Sequence, residues 1–209
     1  MCSILIVRIM KNKLFVSFIL LAVLLVACND DGERQGDAYF SKGDYQDAIK
    51  AYDEYIEYQP THVKSIYNRG RSYEELGQLD KAREGYARVL EIDPKNVNAN
   101  LSIGKLYYGE KDFENAAFYF DNAVQAGGSN DAQSLLLRGR AHHKLGKTNE
   151  AMEDYNAAIS IDNQLGGAYL YRGALRVYLK RKKAGCADLQ KAVSLKVPEA
   201  QSALAKYCN

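Results

Sequence analysis

Residues capable of chemistry are few in this 209-residue chain, and their spacing joins none of them into a reaction centre. Its histidines are His62, His142 and His143. His142 and His143 are adjacent, so on a helix they point about 100° apart and cannot grip one metal together. His62 follows Pro60 in a turn sequence. Cys2, Cys28, Cys186 and Cys208 lack the short paired spacing of a zinc site. Neither a glycine loop built to cradle phosphate nor a nucleophile elbow is present. The sequence therefore predicts no catalytic residue, no metal, no cofactor and no small-molecule substrate. Lys180-Arg181-Lys182-Lys183 is the densest charge run and reads as a solvated turn.

The first 28 residues read as an address. Lys11 and Lys13 precede the uncharged apolar run 14–27, which is shorter than the roughly 20 residues a membrane span needs. A basic stub, a short apolar stretch and a small residue at its end make a secretory signal. Leu25-Val26-Ala27-Cys28 resembles the lipobox of bacterial lipoproteins. That resemblance implies a signal peptide over 1–27, cleavage before Cys28, and acylation (palmitate included) of its thiol. Met10 is a more typical start than Met1. Asn29-Asp30-Asp31-Gly32-Glu33 is similar to acidic surface-sorting signals, and a solvated linker is the favoured reading of it. The expected location is the bacterial envelope, lipid-anchored to the outer membrane, with the periplasmic or surface side left open.

Arg8, Lys11 and Lys13 lie within those 28 residues, which hold no acid, so residues 29–209 carry 25 bases against 26 acids. A body this close to neutral gives no electrostatic case for nucleic acid. With 47% hydrophobic residues and 26% charged ones, it can bury a core. Three prolines and no tryptophan argue against a loop-rich fold.

Gly36, Gly70, Gly104, Gly139 and Gly173 recur at spacings of 34, 34, 35 and 34 residues. Twelve residues after them stand Ala48, Ala82, Ala116, Ala151 and, in the fifth, Gly185. Four further on come Tyr52, Tyr86, Phe120, Tyr155 and Leu189. Each period predicts two helices, Val63–Glu75 and Leu79–Ile92 in the second, broken at Gly77. Glycine is expected to face alanine where the two helices cross, and the aromatic to plug the gap to the next unit. Pro60 and Pro94 close the first two units, since proline can begin a helix but not continue one. His142 takes an aromatic core position in this register. One hairpin cannot bury its apolar face, so stacked neighbours must supply the core.

The pattern resembles the tetratricopeptide repeat (TPR). That resemblance implies an all-α, right-handed superhelical solenoid of about five helical hairpins. The units run about 32–62, 63–96, 97–131, 132–165 and 166–197, after a lipidated cysteine and linker at 28–31. Residues 198–209 read as a capping helix, with Ala200, Ala203, Leu204 and Tyr207 at helical spacing. Two readings stand for Cys186 and Cys208: a disulfide tying this cap to the last hairpin, or two small buried apolar side chains. The bond is favoured, and cysteines so placed resemble those of other exported TPR lipoproteins.

TPR arrays bind partners along a concave face lined by the first helix of each unit. By the register this groove is expected to hold Tyr67, Asn68, Arg71, Lys105, Tyr108, Arg140, His143, Lys144 and Tyr171. Arg71, Lys105 and Arg140, each one residue past a repeat glycine, would form a basic stripe. Tyr67 and Leu101 occupy key places of the family's chaperone-tail clamp, which excludes that ligand. The expected function is a non-catalytic, membrane-tethered scaffold that binds an acidic segment of another exported protein. The competing expectation is an accessory subunit of an envelope transport or glycan-handling system that recognises a non-protein ligand.

Overall fold

In a computed structural model of the protein, residues 30–127 and 131–208 are described. The signal segment and Cys28 lie outside them. The described residues form eleven helices and no strand. In sequence order these are α1 (Asp30–Lys42), α2 (Tyr45–Tyr58), α3 (Val63–Glu75), α4 (Leu79–Ile92), α5 (Val97–Gly109) and α6 (Phe113–Gly127). They continue as α7 (Ala132–Lys144), α8 (Thr148–Ile161), α9 (Gly166–Tyr178), α10 (Lys182–Ser194) and α11 (Ala200–Cys208). The protein divides into two compact units, residues 1–85 and 86–209.

Turn chemistry sets the helix ends. Gly43, Gly77 and Gly146 take φ of 84°, 71° and 75° in three of the tight links. Lys111, Lys180 and Lys196 occupy the same left-handed region at φ of 66°, 63° and 59°, a conformation that costs a residue with a Cβ about 1–2 kcal/mol. The longer links end in side-chain caps. Asn96 accepts from the Ala99 N–H and Asp131 from the Ser134 N–H, each at 3.1 Å. His62 belongs to this group: its Nδ1 accepts from the Ser65 N–H at 3.3 Å, and its ring meets Tyr55 edge-on.

In the first unit α1 packs on α2, and both reach α3. Ala48 and Tyr52 are fully buried. The partner of the repeat glycine differs from the expectation. A methyl on Gly36 would lie 2.6 Å from Tyr52 Cδ1, so the glycine seats the ring of its own hairpin. In the second unit Gly104 seats Phe120, and Gly139 seats Tyr155, in the same way. The flat ring, sixteen residues on, needs a smooth floor, and a side chain on the glycine would displace it. Gly70 instead meets Gly85, and Gly173 meets the Gly185 carbonyl, so there the backbones themselves approach.

The second unit pairs α5 with α6, α7 with α8 and α9 with α10, with neighbouring pairs in contact. Leu170, Leu189, Ala192 and Ala200 form its last buried cluster, covered by Leu204 and Tyr207 of α11. Cys186 of α10 and Cys208 of α11 are joined as a disulfide, with an S–S distance of 2.06 Å and Cα atoms 5.7 Å apart.

Candidate functional site

Arginines in the first helices of the repeats divide by register into two sets. Those one residue before the glycine are consumed in ion pairs. Arg69 bonds Asp53 at 2.6 Å. Arg138 bonds Asp121 and Asp154, both at 2.6 Å, and Arg172 bonds Asn156 at 2.8 Å and Asp188 at 2.7 Å. Asp53, Asp121 and Asn156 each follow the aromatic of the preceding hairpin, so the bond staples consecutive hairpins. Asp154 and Asp188 are buried and carry a second donor each. His142 Nδ1 lies 3.1 Å from Asp154, and Arg176 bonds Asp188 at 2.7 Å. His142 is therefore a half-buried carboxylate partner rather than an aromatic of the core. Burial pushes the Asp154 carboxyl up, but His142 and Arg138 outweigh it and hold it below the ordinary value.

The second set stands one residue after the glycine and turns to another face. In the first unit this residue is Asp37 in the first repeat and Arg71 in the next. Asp37 accepts from Tyr52 Oη at 2.6 Å, Asn68 Nδ2 at 3.0 Å and Lys64 Nζ at 2.7 Å. Burial works against the Asp37 charge, yet Lys64, Tyr52 and Asn68 together bring its carboxyl below the usual range. Lys64 also bonds Glu33 at 2.7 Å. Asn68 is thus committed to Asp37, and Arg71 stacks on the Phe40 ring at 4.4 Å. Tyr67 is half-buried beside them.

In the second unit Arg140 holds the equivalent place. Its guanidinium lies over Tyr108 at 4.9 Å and over Tyr171 at 4.6 Å, between two rings. Arg140 Nε is buried and makes no hydrogen bond among the described residues. The Tyr155 hydroxyl, on a side chain with no exposed surface, has none either. Tyr155 stacks on Tyr171 at 6.3 Å, and Tyr108, Arg140 and Tyr171 all act on its phenol electrostatically. Burial pushes that phenol far up, so it stays protonated and can only donate with profit. Nearby, burial and then Lys144 lower the His143 imidazole. Lys105 and Lys144 are exposed.

Of the expected groove residues, Tyr108, Arg140 and Tyr171 come together as one constellation, while Asn68 is tied into an internal network. Tyr155 was missed, because a ring in a packing register carries no sign that its hydroxyl will lack an acceptor. The signal available was comparative. Tyr52 stands under an acid, Asp37, whereas Tyr155 stands under a base, Arg140.

Two family profiles, both described as tetratricopeptide repeat, match residues 33–97 and residues 97–126 with 132–165. Together they cover more than half of the protein. Among curated proteins, the FK506-binding protein-like protein of Rattus norvegicus is 41% identical over 64 residues, 31% of this protein and 18% of that one. A tetratricopeptide repeat and J domain-containing co-chaperone of Cryptococcus neoformans is 30% identical over 107 residues, 50% of this protein and 20% of its own length. The present sequence thus spans about a fifth of the length of these relatives. Among solved structures, MamA superposes with a TM-score of 0.69 at 23% identity, over 82% of this protein and 97% of its own length. PilW, a type IV pilus biogenesis factor, gives 0.70 at 18% identity, over 86% and 90%. YrrB, described as a TPR protein with an unusual peptide-binding site, gives 0.68 at 18%, over 84% and 90%. At these identities the structural likeness is one of fold. By its glycine–aromatic register, the helical hairpins built on it and the profile matches, the protein belongs to the tetratricopeptide repeat family.

Proposed function

We propose that the protein is a non-catalytic interaction scaffold, tethered by a lipid on Cys28 in a bacterial envelope, which holds a peptide segment of another exported protein. The observation that supports binding is the face presented one residue past the repeat glycines. There Arg140 is spread between Tyr108 and Tyr171 and is committed to no carboxylate, whereas Arg138 and Arg172 are spent on internal ion pairs. A cation flanked by tyrosines suits peptide backbone and acidic groups. The tether rests on the basic stub, the short apolar run and the Leu25-Val26-Ala27-Cys28 sequence. YrrB, of the same fold, is described as having a peptide-binding site.

The test is crosslinking in cells followed by identification of what co-purifies, with Cys28→Ala alongside. The wild type should partition with membranes and carry a reproducible protein partner. Cys28→Ala should lose acylated mass and leave the membrane fraction. An unchanged mass and partition would reject the tether, and crosslinking that recovers no protein would reject the scaffold.

A further inference from the structure

The repeat register lets one hairpin report what another lacks. In the first repeat the ring seated on Gly36 is Tyr52, and its hydroxyl donates to Asp37, the residue after that glycine, at 2.6 Å. The same carboxylate takes two further donors, Lys64 and Asn68. In the fourth repeat the ring seated on Gly139 is Tyr155, and the residue after the glycine is Arg140. Arginine has no acceptor to offer, so the acid of the first repeat has been exchanged for a second donor. The consequence is two buried, unpartnered donors side by side in register, Tyr155 Oη and Arg140 Nε. Leaving such donors unpaired is costly, of the same order as the whole desolvation of each group.

We propose that Tyr155 and Arg140, with Tyr108 and Tyr171 as flanking rings, form a binding site for a carboxylate brought by a partner, which takes the place that Asp37 fills internally in the first repeat. One carboxylate oxygen accepts from the Tyr155 hydroxyl and the other from Arg140 Nε. The stacked rings keep the guanidinium flat and partly dry, which strengthens a charge-assisted bond. The carboxylate is an Asp or Glu side chain or the C-terminus of a peptide. Lys105 and Lys144, both exposed, add attraction without a fixed geometry. This deepens the scaffold reading and rests on it for the identity of the bearer, since the site needs a peptide to present the acid. It differs from a lysine–asparagine clamp in using a phenol and an arginine from one hairpin.

The test uses the full acylated protein in detergent, labelled with 15N, and follows the Arg140 Nε–H signal. Three probes are titrated at constant ionic strength. They are acetylated tetra-alanine with a free C-terminus, an amidated alanine peptide with one central Glu, and its Gln counterpart. One or both carboxylate peptides should shift the signal saturably, and their ratio identifies the source of the acid. The Gln peptide should not shift it. Tyr155→Phe should weaken binding about 5–10-fold, the value of one hydrogen bond to a charged acceptor, while melting as high as the wild type or higher, because it removes an unpaired hydroxyl. Arg140→Gln should abolish the response, read from neighbouring backbone amides. A shift equal for Glu and Gln peptides, no saturable shift, or unaltered binding by Tyr155→Phe would each overturn the proposal. The scaffold reading is judged separately by crosslinking. A partner captured equally by wild type and Arg140→Gln overturns the carboxylate site alone. Carboxylate binding with no partner recovered in cells overturns the scaffold alone.

Discussion

Asp154 shows how one residue changes the meaning of its neighbours. It is 4% exposed and bonded by Arg138 and His142. Its folded-state pKa lies below the unfolded value of 3.8, so its contribution to stability is full above pH 3.8 and is lost as pH falls through the folded value. Asp154→Asn keeps the shape but loses the charge, and should cost about 1–3 kcal/mol near neutrality. The difference between wild type and variant in urea unfolding should then shrink as pH is lowered from 5 towards 3. His143, whose neutral form is favoured by burial, lowers the stability of both proteins below pH 6.5 and so cancels from the difference. A gap that stays constant through that range would show that the carboxylate is not the group at work. None of this was legible in the sequence. The run Asp154-Tyr155 reads only as the approach to a core ring, and His142 reads as an aromatic. The bond between them joins two helices through side chains whose periodicity is that of packing.

At the scale of the helix the sequence was far more explicit. Val63–Glu75 and Leu79–Ile92 were readable from apolar spacing and Gly77, and the structure has those helices. What the spacing did not specify was which small residue faces which large one. Glycine and alanine recur with the same period, so either could have met the ring. Geometry at Gly104 decides it: a methyl there would come within 2.6 Å of Phe120 Cε1, a contact that forces the ring or the helix to move. Gly109 ends the same helix, α5, with no atom within 4 Å of a methyl placed on it. Gly104→Ala should therefore destabilise by about 1–3 kcal/mol through overpacking. Gly109→Ala should be neutral or stabilise by up to about 1 kcal/mol through helix propensity. Thermal melts of the two variants give the comparison, and equal changes would mean that the glycine serves conformation rather than the ring.

Across the whole molecule, repetition makes the fold legible while leaving its specific sites hard to see. Five copies of one register announce the family, but a site arises where a copy departs from the others, as Arg140 departs from Asp37. The C-terminal end is another departure. The fifth repeat closes on Leu189 rather than an aromatic, and its second helix meets α11 through Leu170, Ala192 and Ala200. A terminal repeat lacks a neighbour on one side and is the first to fray. The Cys186–Cys208 bond closes a loop of 22 residues across that end. By loop-closure entropy such a bond stabilises by about 3 kcal/mol. Reduction, or the paired change Cys186→Ala with Cys208→Ala, should lower the melting temperature. Because each repeat leans mainly on its neighbours, the loss should also be local. Amide exchange should accelerate in α11 and α10, while α7, further up the array, keeps most of its protection. Uniform acceleration through the second unit would show that its helices unfold as one body and that the bond secures all of them. Unchanged exchange at α11 on reduction would show that apolar burial against Leu170 and Leu189 holds the cap without the bond.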